Sequence, residues 1–85
     1  MVLALAAAYV FLDNNLLAAI EPNEVLSKLR VLRVSGNKIQ RISGAVFPNL
    51  RTLYADSNNL SGIDKAGKLT KLENLSLRNQ YGKGL

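Results

Sequence analysis

The chain contains no cysteine, no histidine and no tryptophan. Without cysteine or histidine, the sequence cannot supply Ser–His or Cys–His catalytic pairs, disulfides, or metal sites built on those side chains. Its six carboxylates are scattered along the 85 residues, so a carboxylate pair for hydrolysis is not expected. The sequence therefore predicts that the protein is not an enzyme, and it predicts no catalytic, cofactor-binding or metal-binding residues.

Long apolar runs are also missing, although apolar residues make up 48% of the composition. No stretch approaches the roughly 20 apolar residues that a membrane-spanning helix needs. The apolar segment 1–12 lacks the basic residues that begin a signal peptide, so we interpret it as part of the fold. The absence of cysteine fits a reducing compartment. These features together predict an intracellular protein that does not bind membranes.

Acidic residues are scarce in most of the chain, and the charge is unevenly distributed. Residues 1–27 hold Asp13, Glu21 and Glu24 without any lysine or arginine, whereas residues 28–85 carry 11 basic and three acidic residues, a net charge of +8. A basic segment can attract acidic partners or nucleic acid. Because no nucleic-acid-binding motif accompanies it, we interpret this charge as a solvated exterior and expect no nucleic-acid partner.

What the sequence does contain is an internal repeat. The segments 29–39 and 50–60 align so that their apolar and asparagine positions coincide, a third copy begins at Leu72, and a degenerate copy lies at 10–17. A period in this range, with the pattern L-x-x-L-x-L-x-x-N-x-L, is the signature of a leucine-rich-repeat solenoid. The recurrent amide position, at steps of 22, 21 and 22 residues, is occupied by Asn15, Asn37, Asn58 and Gln80.

Each copy predicts one coil of the solenoid. Apolar and variable residues alternate around L-x-L as in a half-buried strand, and apolar pairs three residues apart, such as Leu26/Leu29, suit a helical or 3₁₀ turn. The predicted fold is an α/β leucine-rich-repeat solenoid of about four right-handed coils. A short parallel sheet is expected on the concave side and helical or 3₁₀ turns on the convex side.

The repeats are expected to form one structural unit, because each coil must stack on its neighbour to cover its apolar side. Four coils sit just above the roughly three that a stable stack needs, and no polar cap is recognisable at either end of the sequence. We therefore expect the array to be a fragment of a longer protein. The predicted domain covers 1–85, with repeats at about 7–28, 29–49, 50–71 and 72–85.

The recurrent amide residues are predicted to be structural. In leucine-rich repeats generally, they form a ladder of buried side chains that bond to backbone groups where the chain turns off the strand, and an amide can both donate and accept. We carry this role over to Asn15, Asn37 and Asn58. Gln80 takes the fourth position but is one methylene longer, which predicts that the last coil is frayed or ends differently.

The outward strand residues form the concave face, the usual interaction surface of a solenoid. The central variable position is Phe11, Arg33 and Tyr54 in the first three copies, and aromatic residues beside an arginine are typical of interface hot spots. A partner with an acidic, partly apolar segment would suit these three. Alternatively, they only cover each other across adjacent strands. The predicted partner-binding residues are Tyr9, Phe11, Asp13, Arg33, Tyr54, Asp56 and Arg78.

Two phrases resemble a narrower family. The segment 47–58, FPNLRTLYADSN, resembles the FPNLR-x-LYLD-x-N segment of fungal spindle-pole-body scaffolds, which are related to the repeats of animal centriolin. The segment 72–80, LENLSLRNQ, is similar to the LE-x-LSLR-x-Q run of that family, which also has glutamine at the ladder position. The resemblance implies a cytoplasmic or cytoskeletal scaffold that docks septation-initiation or mitotic-exit signalling components at the spindle pole body.

Two other functions stay open. The repeat length also resembles that of the short intracellular class, which implies a regulatory subunit of a phosphatase or of a ribonucleoprotein particle. The sequence Asn59-Leu60-Ser61 fits a glycosylation sequon and would suit a fragment of an extracellular receptor. Repeats of that receptor class are about 24 residues long, which exceeds the steps found here. The sequence identifies neither the protein partner nor the oligomeric state.

Overall fold

Short parallel strands organise the fold in the computed structural model, which describes residues 7–20 and 24–81. In that part of the chain the strands are β1 (Tyr9–Phe11), β2 (Val31–Arg33), β3 (Thr52–Tyr54) and β4 (Asn74–Ser76). They form one sheet in the order β1-β2-β3-β4. The predicted array over 1–85 also includes 1–6, 21–23 and 82–85, which lie outside the described residues. Residues 21–23 belong to the first predicted repeat, and residues 82–85 belong to the last.

The sheet places equivalent residues of successive repeats side by side. Leu32 is in register with Leu53, and Leu53 with Leu75, all in parallel pairs. Leu32, Val34 and Ala55 are fully buried. Since parallel neighbours need a crossover connection, the chain must return along the far side of the core between one strand and the next. This parallel sheet and its register fit a leucine-rich-repeat solenoid.

The far side of the core consists of tight turns. The described residues include two 3₁₀ helices, Gly44–Val46 and Ala66–Lys68. An apolar pair three residues apart precedes each of β2, β3 and β4. In each pair the N–H of the second residue donates to the carbonyl of the first. The donor–acceptor distances are 3.3, 3.1 and 3.3 Å for Leu29 to Leu26, Leu50 to Phe47 and Leu72 to Leu69.

A left-handed residue follows each strand and directly precedes the ladder amide. The φ angles are 57°, 71°, 56° and 57° at Asn14, Gly36, Ser57 and Asn79. Glycine adopts this region freely, and asparagine tolerates it better than most residues. The left-handed residue turns the chain off the strand, so that the next side chain, the amide, points toward the backbone it must satisfy.

Apolar strand residues are fully buried in the middle of the array and less completely buried at β4. Leu32 and Leu53 are 0% exposed, whereas Leu75 is 50% exposed. Leu75 occupies the same L-x-L position as Leu32 and Leu53 and has the same register, but it is not buried as they are. The physical reason is its position, because β4 is the last strand of the sheet in the described part of the chain and only β3 flanks it.

Gly44 is required by a close approach between two coils. A Cβ atom there would lie 2.5 Å from the carbonyl oxygen of Lys65 and 3.0 Å from the Cγ atom of Leu69. The backbone of Lys65 would have to shift, because its carbonyl oxygen cannot rotate away as a side chain does. We expect Gly44→Ala to lower the free energy of unfolding, measured by urea titration, by about 1–3 kcal/mol.

Gly67 provides a matched control for this prediction. It lies in the second 3₁₀ helix, and a Cβ atom there would meet nothing within 4 Å. Gly67→Ala should leave the free energy of unfolding unchanged, or raise it by up to about 1 kcal/mol because alanine restricts the unfolded chain. If Gly67→Ala lowered the free energy of unfolding as much as Gly44→Ala does, the loss would come from placing alanine in a 3₁₀ helix and not from the contact between coils.

Candidate protein-binding surface

Three outward side chains of the sheet form what we call the concave row: Phe11, Arg33 and Tyr54. They are neighbours in the strand register, Phe11 beside Arg33 and Arg33 beside Tyr54. The guanidinium carbon of Arg33 lies 5.4 Å from the ring centroid of Phe11 and 6.0 Å from that of Tyr54. Both distances are within the range of about 6 Å in which a cation is attracted to an aromatic face.

The guanidinium of Arg33 is also held by a carboxylate. Its Nη2 atom lies 2.9 Å from Oδ2 of Asp13, whose other oxygen accepts the N–H of Ser35 at 2.9 Å. The carboxylate is thus fixed by a backbone bond and in turn fixes the arginine between the two rings. Because Asp13 offsets the charge of Arg33, the concave row presents mainly aromatic surface rather than a free positive charge.

The aromatic side chains remain open to solvent despite these contacts. Tyr9 is 65% exposed, Phe11 62% and Tyr54 37%. The rings of Tyr9 and Phe11 lie 6.5 Å apart at an angle of 45°, so the patch continues beyond the row along β1. Exposed aromatic side chains that cluster in this way are typical of interaction surfaces. The contacts within the row fix their positions without covering their outer faces.

A second set of side chains, here called the acceptor column, follows the strands: Asp13, Ser35 and Asp56. Each accepts the backbone N–H of the equivalent residue in the next coil. Ser35 Oγ accepts from the N–H of Asp56 at 3.0 Å, and Asp56 Oδ1 accepts from the N–H of Arg78 at 2.7 Å. Asp56 Oδ1 also accepts from the Ser76 hydroxyl at 2.6 Å. The column therefore links successive coils along one edge of the concave face.

Sequence reasoning missed the role of Ser35. The signal was the recurrence of a side-chain oxygen at one repeat position, in Asp13, Ser35 and Asp56. The two aspartates were predicted to be partner-binding residues. The property that they share with Ser35 is the ability to accept a backbone hydrogen bond. Both aspartates have structural bonds in the fold, and their use by a partner stays a prediction.

The C-terminal part of the concave face is a shallow groove. Its lining includes Tyr54, Asp56, Ser76 and Arg78. The ion pairs among the described residues involve Arg33, Arg41 and Arg51, and Arg78 has no ion pair there. Of the two arginines predicted to bind a partner, Arg78 is therefore the one whose charge is open to an incoming carboxylate.

The amide residues bond to the backbone of two coils at once. Asn37 donates from Nδ2 to the carbonyls of Val34 in its own coil and Leu12 in the preceding coil, at 2.8 and 3.0 Å. Its Oδ1 accepts the N–H of Leu17 at 3.1 Å. Asn58 repeats this pattern one coil later, with Ala55 and Val34 as acceptors at 3.0 Å and the N–H of Ile39 as donor at 3.0 Å.

Gln80 makes the same set of bonds in the fourth position. Its Nε2 donates to the carbonyls of Leu77 and Ala55 at 3.2 and 2.9 Å, and its Oε1 accepts the N–H of Leu60 at 2.9 Å. The extra methylene therefore does not interrupt the ladder, and the expected fraying at Gln80 is not seen. Asn15, by contrast, is exposed, and its side-chain bonds go to the carbonyls of Leu12 and Asp13 in its own coil.

The predicted site residues thus fall into two clusters of partner-binding residues and the structural amide ladder. Tyr9, Phe11, Asp13, Arg33 and Tyr54 lie together, whereas Asp56 and Arg78 lie in the adjoining groove. Among residues 7–20 and 24–81, no three carboxylates come together in a way that could hold a metal ion. Nor does any helix in those ranges have the length and apolar character to cross a bilayer.

Comparison with known proteins agrees with this architecture. The family model described as Leucine Rich repeats (2 copies) matches residues 48–82, which is less than half of the chain. No curated protein and no solved structure gives a significant match. Repeats of this family are typically binding modules that present a concave surface to other proteins. The family match and the parallel four-stranded sheet together support the assignment of this chain to the leucine-rich-repeat superfamily.

Proposed function

We propose that this chain is a protein–protein interaction scaffold that docks its partner on the concave face. The single observation that carries the proposal is the concave row, in which exposed aromatic rings are held in place by Arg33 and Asp13. A surface that is already ordered before binding loses little conformational entropy when the partner arrives. Aromatic side chains in such positions contribute a large part of the energy of many interfaces.

The arrangement of charges favours a particular partner chemistry. Apolar side chains of the partner would cover Tyr9 and Phe11, whose outer faces are open. An acidic group of the partner would pair with Arg78 in the groove, since Asp13 already offsets the charge of Arg33. The partner we propose is therefore a protein segment in which an apolar stretch is followed or preceded by a carboxylate.

We further propose that the array is one unit of about four coils, with helical or 3₁₀ turns on its convex side and the repeat boundaries given above. A cytoplasmic or cytoskeletal scaffold at the spindle pole body, acting in mitotic exit and septation, is the specific role we propose. What supports it is the resemblance of 47–58 and 72–80 to the fungal scaffold family. The two phrases lie on β3 and β4 and the turns next to them.

The test is affinity capture from a fungal mitotic extract with the wild-type chain and an Arg33→Ala/Tyr54→Ala variant. We expect the wild type to recover spindle-pole or mitotic-exit components and the double variant to lose at least about tenfold in recovery, because about 1.4 kcal/mol of lost interface energy is enough for that change. Both side chains are on the surface, so the far-UV circular dichroism of the variant should match that of the wild type.

A Val25→Ala/Lys71→Ala variant is the matched control, since it removes one exposed apolar residue and one cation outside the strands. Its recovery should equal that of the wild type. Recovery of a phosphatase or a splicing particle would refute the spindle-pole role, but it would not contradict the concave face as the binding surface. Loss of the fold in the Arg33/Tyr54 variant would instead show that the concave row is structural.

A further inference from the structure

The concave row and the groove form one continuous surface, because Tyr54 belongs to both. Its ring centroid lies 6.0 Å from the guanidinium carbon of Arg33 in the row, and the same residue lines the groove with Ser76 and Arg78. Phe11, beside Arg33 in the strand register, lies on the β1 side of this surface, and Arg78 follows β4. A partner that contacts both residues must therefore cross all four strands.

The distance that such a partner has to span follows from the strand register. Phe11 and Ser76 occupy equivalent positions of β1 and β4 in the sheet, so three strand spacings of about 4.8 Å separate them, which is about 14 Å. Arg78 follows Ser76 along the chain and adds a displacement of about 7 Å in the strand direction. At right angles, the two displacements place the backbones of Phe11 and Arg78 about 16 Å apart.

This distance suits an extended segment of the partner better than a helical one. Side chains about four residues apart in an extended chain point to the same side and are separated by about 14 Å. The length of the arginine side chain covers the remainder. A helix needs about eleven residues for the same distance, and an isolated helix of that length is marginal in water. An extended segment therefore orders fewer residues when it binds.

The charges along the surface determine where a carboxylate of the partner can lie. Near β1, the carboxylate of Asp13 lies 2.9 Å from Arg33, and 23% of the Asp13 side chain is still exposed. A carboxylate directly next to the partner's apolar residue would face this like charge and be disfavoured. Arg78 is exposed and lines the groove, so a carboxylate there meets a cation. The surface thus selects for the separation of the two groups as well as for their presence.

We propose that the partner presents a linear motif with one large apolar residue and one carboxylate about four residues apart, in an extended segment that crosses the strands. The apolar residue covers Tyr9 and Phe11, and the carboxylate pairs with Arg78. The residues between them lie over Arg33 and Tyr54. This inference rests on the proposed function, since it specifies the partner of the same concave surface.

Selection from a displayed library of random linear peptides tests the motif. Peptides are selected on the wild-type chain and, in parallel, on the Arg33→Ala/Tyr54→Ala variant. The wild type should enrich peptides with an apolar residue and Asp or Glu about four positions apart, and the double variant should not. On Arg78→Gln the apolar preference should remain and the acidic preference should disappear. Lys38→Gln removes an exposed cation outside the strands and should leave both preferences unchanged.

Two synthetic peptides of identical composition measure the size of the effect by fluorescence anisotropy. In one peptide Phe and Glu are about four positions apart, and in the other they are adjacent. The first peptide should bind the wild type about threefold more tightly, as expected for one exposed ion pair. Arg78→Gln should remove this difference, whereas Lys38→Gln should preserve it.

The outcomes separate this inference from the proposed function. Enrichment of apolar residues without an acidic residue at a fixed spacing would overturn the motif and leave the concave face as the docking surface. A preferred spacing of about eleven positions would also overturn it, because that spacing indicates a helical segment. If the wild type enriches no peptide beyond those of the Arg33→Ala/Tyr54→Ala variant, the motif is wrong. The affinity capture described above, which presents whole proteins, then decides whether the proposed function fails as well.

Discussion

Replacing Asn58 by alanine is expected to lower the free energy of unfolding by about 3 kcal/mol. Asn58 is fully buried, and its Oδ1 is the acceptor for the N–H of Ile39 at 3.0 Å. Alanine leaves that buried N–H without an acceptor, which costs about 1–3 kcal/mol by itself. The lost side-chain bonds and the small cavity account for the rest. Urea unfolding followed by circular dichroism gives the value.

The effect is not larger because the carbonyls bonded to Asn58 have second donors. The Val34 carbonyl also accepts from Asn37 at 2.8 Å, and the Ala55 carbonyl also accepts from Gln80 at 2.9 Å. Only the N–H of Ile39 loses its partner outright. This redundancy is a property of the ladder, in which each coil's carbonyl accepts bonds from two successive amides.

Asn15→Ala is the control for this prediction. Asn15 occupies the same repeat position but is exposed, and its side-chain bonds stay within its own coil. Its replacement should change the free energy of unfolding by no more than about 0.5 kcal/mol. A loss at Asn58 as small as that at Asn15 would mean that water or backbone rearrangement satisfies Ile39, and that the ladder contributes little.

Phe47→Ala is expected to lower the free energy of unfolding by about 4 kcal/mol, the largest loss we predict. Phe47 is 0% exposed and is among the largest fully buried side chains of the described residues. A chain of 85 residues has a typical stability of roughly 4–13 kcal/mol. The variant should therefore unfold at a clearly lower temperature than the wild type, and at the lower end of that range it would be close to its unfolding midpoint at moderate temperature. Thermal unfolding followed by circular dichroism measures this directly.

Leu16→Ala provides the comparison, since Leu16 is 82% exposed and its loss should cost no more than about 0.5 kcal/mol. Phe47→Leu, which keeps most of the apolar volume, should fall between the two. If Phe47→Ala unfolded at nearly the temperature of the wild type, Phe47 would not be part of a close-packed interior. The assignment of the apolar pairs to the core would then be wrong.

The strand register could be predicted from the sequence because it depends on the repeat alone. Aligning Leu32 with Leu53 and Leu75 requires only that equivalent residues of successive coils lie side by side, and the sheet has this register. The exposure of Leu75 could not be predicted in the same way. It depends on what stacks against the outer side of β4, and the pattern within a repeat contains no information about that.

The concave surface was predictable in part. The repeat places Phe11, Arg33 and Tyr54 in one row, and the alternation within each strand predicts that they point outward. The pairing of Arg33 with Asp13 was not predicted, because it depends on the rotamer of a long side chain. The acceptor column was missed for a different reason: hydroxyl and carboxylate oxygens were grouped by charge, although the shared property is the ability to accept an N–H.

The same contacts that order the concave row also join its coils. Arg33 of the second coil contacts Asp13 and Phe11 of the first and Tyr54 of the third. An exposed cation–aromatic contact contributes only about 0.5–1 kcal/mol, so the row adds little to the stability of the array compared with Phe47. We therefore expect its main effect to be on binding, where a fixed aromatic surface reduces the entropic cost.

The most direct test of the concave face as the interaction surface is photo-crosslinking from single positions. A benzophenone amino acid replaces Phe11 in one protein and Val25 in another, two positions with similar exposure, 62% and 54%, on and off the concave row. In a fungal mitotic extract, the probe at position 11 should crosslink to discrete proteins, and excess unlabelled chain should compete for them. Equal crosslinking from both positions, or crosslinking from position 25 alone, would contradict the assignment of the binding surface.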